Sequence, residues 1–210
     1  MSSQYHKIQS IYKRDRETGK FRIGDYSIPE FGYLADLEWE WTEKVDGTNI
    51  RVIWDGDTIE FRGKTDKAQI QPQLFSALAN MWIPLKGKLA EDYTQGATFY
   101  GEGYGPKIQK GGGNYRDNQS FVLFDVKINR WWLTRDSVNN IGERLGIDVV
   151  PVVGHGNLSQ LIESTKANPN SLWGDFRSEG YVARPTVELF ARNGNRIIVK
   201  CKCKDFDGWY

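Results

Sequence analysis

The sequence has little cysteine, little histidine and no long apolar run. Its two cysteines, Cys201 and Cys203, are too close in the chain for an ordinary disulfide, and no Cys or His cluster near them suggests zinc. No stretch approaches the roughly 20 apolar residues that cross a bilayer, and the N-terminal residues lack the apolar segment of a secretory signal. These absences argue against a secreted disulfide-rich protein and a membrane protein. We therefore expect a cytoplasmic protein without a membrane partner.

An excess of charge of one sign is also missing. The 210 residues hold 28 Lys and Arg against 27 Asp and Glu, a formal net charge of +1. A protein that binds polyanions by bulk charge is far more basic, so any nucleic-acid binding must depend on local patches. Aromatic residues are plentiful, with 8 Trp, 10 Tyr and 10 Phe, and most of these rings are expected in the core.

Period-two alternation and turn residues predict a strand-rich chain with short helices. The predicted strands are 37–44, 49–54, 58–63, 98–102, 120–127, 180–184, 187–192 and 196–203. The predicted helices are 72–82, a second that begins after the N-cap Thr134 and runs through about 145, and a third at about 158–167. This order predicts an α+β protein in which antiparallel sheets are flanked by helices.

Lys44 lies in the run Glu43-Lys44-Val45-Asp46-Gly47-Thr48-Asn49, between a strand and a turn. Taken alone, it is most simply a surface lysine. A nucleophilic lysine has to lose a proton, and with a reference pKa of about 10.4 this costs roughly 4 kcal/mol at neutral pH unless the site assists. Neighbouring cations, burial or a metal ion supply that assistance. The hypothesis of a nucleophile therefore requires further cations to converge on Lys44.

The required cations occur near the end of the chain. Lys200, Lys202 and Lys204 alternate along the predicted strand 196–203 and just beyond it, so they are expected on one face, with Cys201 and Cys203 on the other. Two interpretations stay open: a solvated edge strand whose lysines prevent aggregation, or a clamp for a triphosphate.

Two carboxylates and an apolar strand complete the set of candidate residues. Glu102 lies among glycines and aromatic residues in Phe99–Gly105, where a ligand can approach the backbone closely. Glu179 precedes a predicted strand and suits a divalent metal. The segment Ser120–Val126 is mainly core in character. Each of these segments has an ordinary structural explanation when it is taken alone.

The order of these segments resembles that of the covalent nucleotidyltransferases, a superfamily of ATP-dependent DNA ligases, RNA ligases and GTP-dependent mRNA capping enzymes. The resemblance covers residues 40–204. Asn49, where DNA ligases and capping enzymes usually carry Arg, and the runs Gly101–Gly111 and Val199–Lys202 are most similar to RNA ligases of the RNA ligase 2 type. The resemblance implies a nucleotidyltransferase (ATP-grasp-like) fold and an ATP-dependent polynucleotide ligase that uses Mg²⁺ or Mn²⁺.

The resemblance also implies roles for individual residues. Lys44 would form a lysyl-AMP with ATP, and Lys200 and Lys202 would neutralise the α-phosphate and the leaving pyrophosphate. Glu179 would bind or orient the metal. The remaining nucleotide-binding residues implied are Glu43, Asn49, Arg62 (a phosphate- and end-sensing position), Glu102 (a ribose hydroxyl) and Phe121 (stacking on adenine), with Phe124 as the substitute for Phe121 because the strand register is inferred.

The loop 107–116 and His155 are two further candidates with ordinary structural interpretations. The loop 107–116 carries three cations, a tyrosine and three glycines, so it is either a mobile contact for a phosphate backbone or a flexible exposed loop. His155 has no partner pattern and is expected in a loop with a structural or exposed side chain.

The expected organisation is a single minimal adenylyltransferase domain over 1–210, with 1–36 as an N-terminal extension packed on it and no separate C-terminal domain. Its expected partner is a nucleic acid with 5′-phosphate and 3′-hydroxyl ends, RNA in preference to DNA, and the protein is expected to be a monomer. The alternatives are a DNA or mixed RNA–DNA ligase, a GTP-using capping enzyme, and an inactive nucleic-acid-binding relative.

Overall fold

The computed structural model describes residues 4–206. The strands are β1 (Gln9–Ser10), β2 (Tyr12–Arg14), β3 (Phe21–Tyr26), β4 (Trp39–Glu43), β5 (Thr48–Trp54), β6 (Ile59–Gly63), β7 (Ala97–Tyr104), β8 (Ser120–Ile128), β9 (Trp131–Trp132), β10 (Val152–Gly156), β11 (Gly180–Pro185) and β12 (Val199–Lys202). The α-helices are α1 (Pro29–Tyr33), α2 (Pro72–Trp82), α3 (Lys86–Asp92), α4 (Arg135–Leu145) and α5 (Leu158–Lys166). In this described part of the chain, no helix is long and apolar enough to cross a membrane.

The chain divides into two compact units. Within the described residues, unit 1 contains 4–5 and Val45–Val150, and unit 2 contains His6–Lys44 and 151–206. Each unit is built on one five-stranded sheet, and nearly all strand pairs are antiparallel. The predicted mixed architecture of antiparallel sheets and a few helices is therefore confirmed, while the single-domain organisation stays a prediction.

Unit 1 is organised around a sheet with strand order β6-β5-β7-β8-β9. Helix α2 begins at Pro72, where the missing N–H costs nothing, and buries Leu74, Leu78 and Trp82, which follow one another at the spacing of one helix face. Helix α4 begins after Thr134, whose hydroxyl accepts a hydrogen bond from the Ser137 N–H. These apolar faces cover one face of the sheet and leave its other face for polar side chains.

Unit 2 is organised around a sheet with strand order β1-β12-β11-β4-β10, with the small β2–β3 sheet beside it. Helix α5 is closed at its start by a capping box between Asn157 and Gln160. Its residues Leu158 and Leu161 are fully buried in one cluster with Trp39 on β4. Alternate residues of the sheet strands enter this core, so the residues between them lie on the opposite face.

The prediction of a strand at 187–192 was wrong, and the strand predicted at 196–203 is confined to Val199–Lys202. Residues 186–198 form a loop in which Arg196, 5% exposed, makes two hydrogen bonds to Glu188, at 2.6 and 2.7 Å. This paired contact closes the loop, and only one isolated bridge, Phe190 to Arg196, forms there within the described residues. Helix α3 and strand β10 were not predicted. His155 lies on β10, opposite Glu40, and not in a loop.

Candidate active site

Lys44 directly follows β4, and its backbone N–H donates to the Gly180 carbonyl at 2.9 Å. Its Nζ lies 2.6 Å from Oε2 of Glu179, and the other oxygen of that carboxylate binds Nζ of Lys202. The three side chains are only 13–22% exposed. Two ammonium groups therefore share one carboxylate at a largely buried position. This geometry distinguishes Lys44 from an ordinary surface lysine.

The strand register explains why these groups meet. Lys202 pairs with Gly180 and Lys200 with Val182, so the two lysines lie on the same face of β12. The residues between them, Val199 and Cys201, are fully buried in the core of unit 2. Lys200, Lys202 and Lys44 consequently occupy the sheet face away from the core. Lys200 and Lys202 therefore lie on the same face as Lys44, as the hypothesis of a nucleophile at Lys44 requires.

Lys204 does not belong to this cluster. Lys204 lies in a 3-10 turn, Cys203–Asp205, and is exposed to solvent. The backbone leaves the strand after Lys202, so the period-two argument no longer applies to it. The prediction that Lys204 shares the face of Lys200 and Lys202 was therefore wrong.

Glu43 points to the opposite face from Lys44. It pairs with Tyr181 on the core side, and only 3% of it is exposed. Its Oε2 accepts the Leu172 N–H at 2.8 Å, while its Oε1 is buried without a hydrogen bond. Burial raises the pKa of this carboxyl above its usual value, and the contacts with Leu172 and Ser171 only partly offset this effect. The side chain therefore holds the loop that leads to Glu179 and does not face the position of Lys44.

Unit 1 supplies a second group of polar residues on one sheet face. Asn49 on β5 lies directly opposite Glu102 on β7, and Arg62 on β6 lies opposite Arg51. The alternate residues of β5, such as Ile50, enter the apolar core, so Asn49, Arg51 and their partners lie on the other face. The Asn49 Oδ1 is buried and has no hydrogen-bond partner in the structure, which leaves an acceptor available for a ligand.

Arg62 lies on the same face as Asn49, opposite Arg51, which is two residues further along β5. Its guanidinium binds Glu60 at 2.6 Å and Asp66 at 3.6 Å, and 39% of its side chain is exposed. It lines a cleft of about 500 Å³ together with Thr98, Lys127 and Asn129. Arg62 is thus held in place by carboxylates and still reaches solvent.

Phe121 occupies a different place from the one implied for an adenine-stacking ring. It is fully buried, and its ring lies edge-on to Trp82 at 5.6 Å, on the helix side of the sheet. A bulge follows: Gly101 pairs with Leu123 and Tyr100 with Asp125, so Phe124 is the extra residue. Phe124 and Asp125 therefore turn to the face that carries Tyr100 and Glu102. Phe124, the substitute named above, packs its ring edge-on against Tyr5 at 5.1 Å on that face, while Phe121 lies in the core.

The loop 107–116 is tied to the turn that follows Lys44. Tyr115 is 8% exposed, and its hydroxyl accepts the Asp46 N–H at 3.1 Å. The side-chain amide of Gln109 donates to the Gly47 carbonyl at 3.1 Å. In one interpretation, the sequence predicted the cations and the tyrosine of this loop as a contact for a phosphate backbone, and it gave no sign of Gln109 or of the turn that both residues contact. Their signal was weak, because a polar side chain in a glycine-rich loop gives no indication of its partner.

Few of the described protein side chains could bind a metal ion together with Glu179, the predicted metal ligand. Among residues 4–206, no three His, Cys, Asp or Glu side chains come together as a metal-binding group. Mg²⁺ is commonly held by one or two carboxylates together with substrate phosphates, so a single carboxylate beside a phosphate-binding lysine pair fits a metal that arrives with a nucleotide.

The fold and these residues combine antiparallel sheets with a lysine–carboxylate–lysine cluster on a polar sheet face. A family model for RNA ligase matches residues 37–202, and the chain belongs to the RNA ligase family. The family resemblance inferred from the motifs is thereby confirmed.

Solved structures of the Naegleria gruberi RNA ligase are similar in fold. An apo mutant aligns with a TM-score of 0.65 at 20% identity, over 83% of this chain and 52% of that chain. A mutant with ATP and Mn aligns with a TM-score of 0.66 at 18% identity, over 98% and 63%. The enzyme with PPi gives 0.65 at 18%, over 96% and 60%. The present chain therefore spans between about half and two thirds of the length of these proteins.

Proposed function

We propose that this protein is an ATP-dependent RNA ligase with a nucleotidyltransferase (ATP-grasp-like) fold. It joins a 5′-phosphate to a 3′-hydroxyl through a lysyl-AMP intermediate on Lys44. The single observation that carries the proposal is the cluster in which Lys44 and Lys202 share the carboxylate of Glu179. Family membership and the ATP-, AMP- and PPi-bound states of the similar Naegleria gruberi enzyme support it.

In the first step, the Lys44 Nζ attacks the α-phosphorus of ATP. An N–P bond forms, the bond from that phosphorus to the bridging oxygen breaks, and pyrophosphate leaves. The nitrogen has to give up a proton, and Oε2 of Glu179, at 2.6 Å, is placed to receive it. The second ammonium on the same carboxylate, from Lys202, adds positive charge beside the reacting nitrogen. Lys200 and Lys202 neutralise the α-phosphate and the departing pyrophosphate.

The nucleotide is held by residues of the polar face of unit 1. Glu102 accepts a hydrogen bond from a ribose hydroxyl, and Phe124 presents its ring to the adenine in place of Phe121. Asn49 offers its buried acceptor to the nucleotide or to the nucleic-acid end, and Arg62 contacts a phosphate. Glu43 acts indirectly, because its carboxylate holds Leu172 in the loop before Glu179.

Glu179 is the residue that would hold a divalent ion, Mg²⁺ or Mn²⁺, with the phosphates of the nucleotide completing the ligands. Such an ion supplies charge neutralisation at the α-phosphate. Manganese accompanies ATP and AMP in structures of the Naegleria gruberi enzyme.

The later steps transfer AMP to a 5′-phosphate and then release it. The 5′-phosphate oxygen attacks the phosphorus of lysyl-AMP, the N–P bond breaks, and a 5′–5′ pyrophosphate linkage forms. A 3′-hydroxyl then attacks the 5′-phosphorus, loses its proton, and AMP leaves. We propose RNA as the preferred strand, and a single minimal adenylyltransferase domain acting as a monomer.

Labelling with [α-³²P]ATP tests the first step. Wild-type protein is expected to retain the label after denaturation, and Lys44→Ala is expected to retain none. Lys204→Ala is the matched control, because this exposed lysine lies just outside the cluster. A label from GTP and not from ATP would contradict the ligase and favour a capping enzyme. Failure of both wild type and Lys44→Ala would favour a nucleic-acid-binding relative without activity.

A joining assay tests the substrate. Nicked duplexes that differ only in whether the joined strands are RNA, DNA or a hybrid should be sealed fastest when both ends are RNA. Faster sealing of the DNA nick would replace the RNA ligase with a DNA ligase of the same family type.

A further inference from the structure

We propose that Tyr115 and Gln109 are positioning residues that hold the turn 45–48, and through it set the placement of Asn49. The proposal rests on the proposed function only for its catalytic consequence. Its structural basis lies wholly within unit 1, in the contacts between this turn and the loop 105–119.

The turn is fixed by two side chains from the same loop. The hydroxyl of Tyr115 accepts the Asp46 N–H at 3.1 Å, and the Gln109 amide donates to the Gly47 carbonyl at 3.1 Å. One contact uses a donor of the turn and the other uses an acceptor, so the two peptide groups that flank the Asp46–Gly47 pair, 45–46 and 47–48, are oriented. Both contacts join residues more than 60 positions apart, and they therefore tie the turn to a distant part of the chain.

The loop is itself anchored, so it can hold the turn. The Tyr115 ring packs edge-on against Tyr104 at the end of β7, with ring centroids 5.9 Å apart. Gln119 donates from its side chain to the Pro106 carbonyl at 2.7 Å across the base of the loop. Gly112 lies so close to Gly105 that a Cβ there would be 2.0 Å from the Gly105 carbonyl oxygen. The loop is thus closely packed at its base and directs the Tyr115 hydroxyl at the turn.

The position of the turn matters because Asn49, whose side-chain oxygen is a buried acceptor, follows it on β5. A turn whose peptide groups can rotate would let the Asn49 side chain leave the position from which it meets the nucleotide or the nucleic-acid end, and a misplacement of about 1 Å is enough to slow such reactions by about 100-fold. Tyr115 and Gln109 act on Asn49 only through the backbone, so neither is a catalytic residue.

The test compares Tyr115→Phe with Tyr93→Phe. Tyr115→Phe removes one oxygen and keeps the ring that packs on Tyr104. Tyr93→Phe is the matched control, because Tyr93 is an equally buried tyrosine of unit 1 that packs on Phe99, away from the turn. Hydrogen–deuterium exchange of the peptide that covers 44–50 should become at least several-fold faster in Tyr115→Phe and stay unchanged in Tyr93→Phe.

The catalytic consequence is measured in the same variants. The single-turnover rate of lysyl-AMP formation at saturating ATP should fall about 3- to 10-fold in Tyr115→Phe, with little change in the apparent affinity for ATP. Gln109→Glu, which keeps an acceptor and removes the amide donor, should behave in the same way. Wild-type exchange at 44–50 in Tyr115→Phe would overturn the proposal. Because exchange does not depend on activity, a wild-type protein that fails to react with ATP would refute the proposed function and leave this test intact.

Discussion

The carboxylate of Glu179 stands between two ammonium groups, and this arrangement gathers positive charge at one place. The carboxylate attracts both groups, and two neighbouring cations are what the binding of a polyphosphate requires. A carboxylate with one lysine partner would hold one cation and leave no second one for the phosphates. The second lysine, Lys202, is therefore the component that distinguishes this cluster from a simple ion pair.

Replacing Glu179 with the isosteric amide separates charge from shape. Glu179→Gln keeps the size of the side chain but removes the charge that gathers Lys44 and Lys202. We expect the rate of lysyl-AMP formation to fall about 100-fold or more, because a preorganised electrostatic contact is lost at the reacting group. Rapid-quench labelling with ATP measures this rate. Lys204→Ala serves as the control, and a Glu179→Gln rate within a few-fold of wild type would contradict the assignment.

Glu43 gives a prediction for the pH dependence of stability. Burial raises its pKa above the usual 4.5, so the folded protein binds this proton more tightly than the unfolded chain. The contribution is fully present below pH 4.5 and is lost as the pH rises through the higher folded-state pKa. Because an amide cannot titrate, the free energy of unfolding of Glu43→Gln relative to wild type should increase with pH over this window.

Urea unfolding at several pH values measures that difference. Asp55→Asn is a control of opposite sign, since hydrogen bonds from Thr58 and Asp57 lower the pKa of Asp55 from 3.8 to about 2. Its stabilising contribution is present above pH 3.8 and is lost as the pH falls towards 2. A difference between Glu43→Gln and wild type that stays constant or decreases with pH would show that the carboxyl is not buried as described.

At the scale of single elements, the sequence predicted those segments whose periodicity and caps agree. Helix α2 was predicted with the observed bounds because Pro72, Leu74 and Leu78 give the same result. The segment 187–192 alternates like a strand, yet the contact between Glu188 and Arg196 turns it into a closed loop. That contact depends on tertiary structure, and no local sequence pattern predicts it.

The faces of strands were harder to predict than the strands themselves. Both faces of β8 carry apolar residues, so period-two counting cannot decide whether Phe121 or Phe124 faces a ligand. The bulge opposite Tyr100 and Gly101 places Phe124 on the face of Tyr100 and leaves Phe121 on the core face. Glu43 and Lys44 show the same limit, because adjacent strand residues point to opposite faces and only the observed core identifies which one is buried.

The turn 45–48 gives a prediction at the element scale. A Cβ on Gly47 would lie 2.2 Å from the Gly103 carbonyl oxygen, so Gly47→Ala has to displace the turn from β7. We expect a loss of about 1 to 3 kcal/mol in the free energy of unfolding and a strong loss of lysyl-AMP formation.

Gly87→Ala in helix α3 is the matched control for that substitution. A Cβ on Gly87 meets nothing within 4 Å, and alanine favours a helix by about 0.5 to 1 kcal/mol. Thermal unfolding of the two variants should therefore move in opposite directions. Equal melting temperatures would contradict the close approach of Gly47 to β7.

At the scale of the whole molecule, the charge is nearly balanced, with a formal net charge of +1. Binding of a nucleic acid therefore has to use a few local cations, such as Lys200 and Arg62, and few counterions are released. We expect the logarithm of the affinity for a 5′-phosphorylated RNA to fall with the logarithm of salt concentration with a slope of about −2 to −4. Fluorescence anisotropy between about 50 and 200 mM salt measures this slope, and a value near −10 would contradict binding through a few local cations.

The bulge at Phe124 has a consequence for changes in chain length. Beyond this residue, counting along β8 runs one position ahead of counting along β7. Deleting Phe124 itself would remove the extra residue, so Leu123 and Asp125 would become neighbours opposite Gly101 and Tyr100 and would keep their faces. A single-residue deletion at a regular position outside the bulge would instead exchange the faces of the strand residues up to the next turn. The strand should therefore tolerate loss of the bulge residue Phe124 better than loss of a regularly paired residue such as Val126.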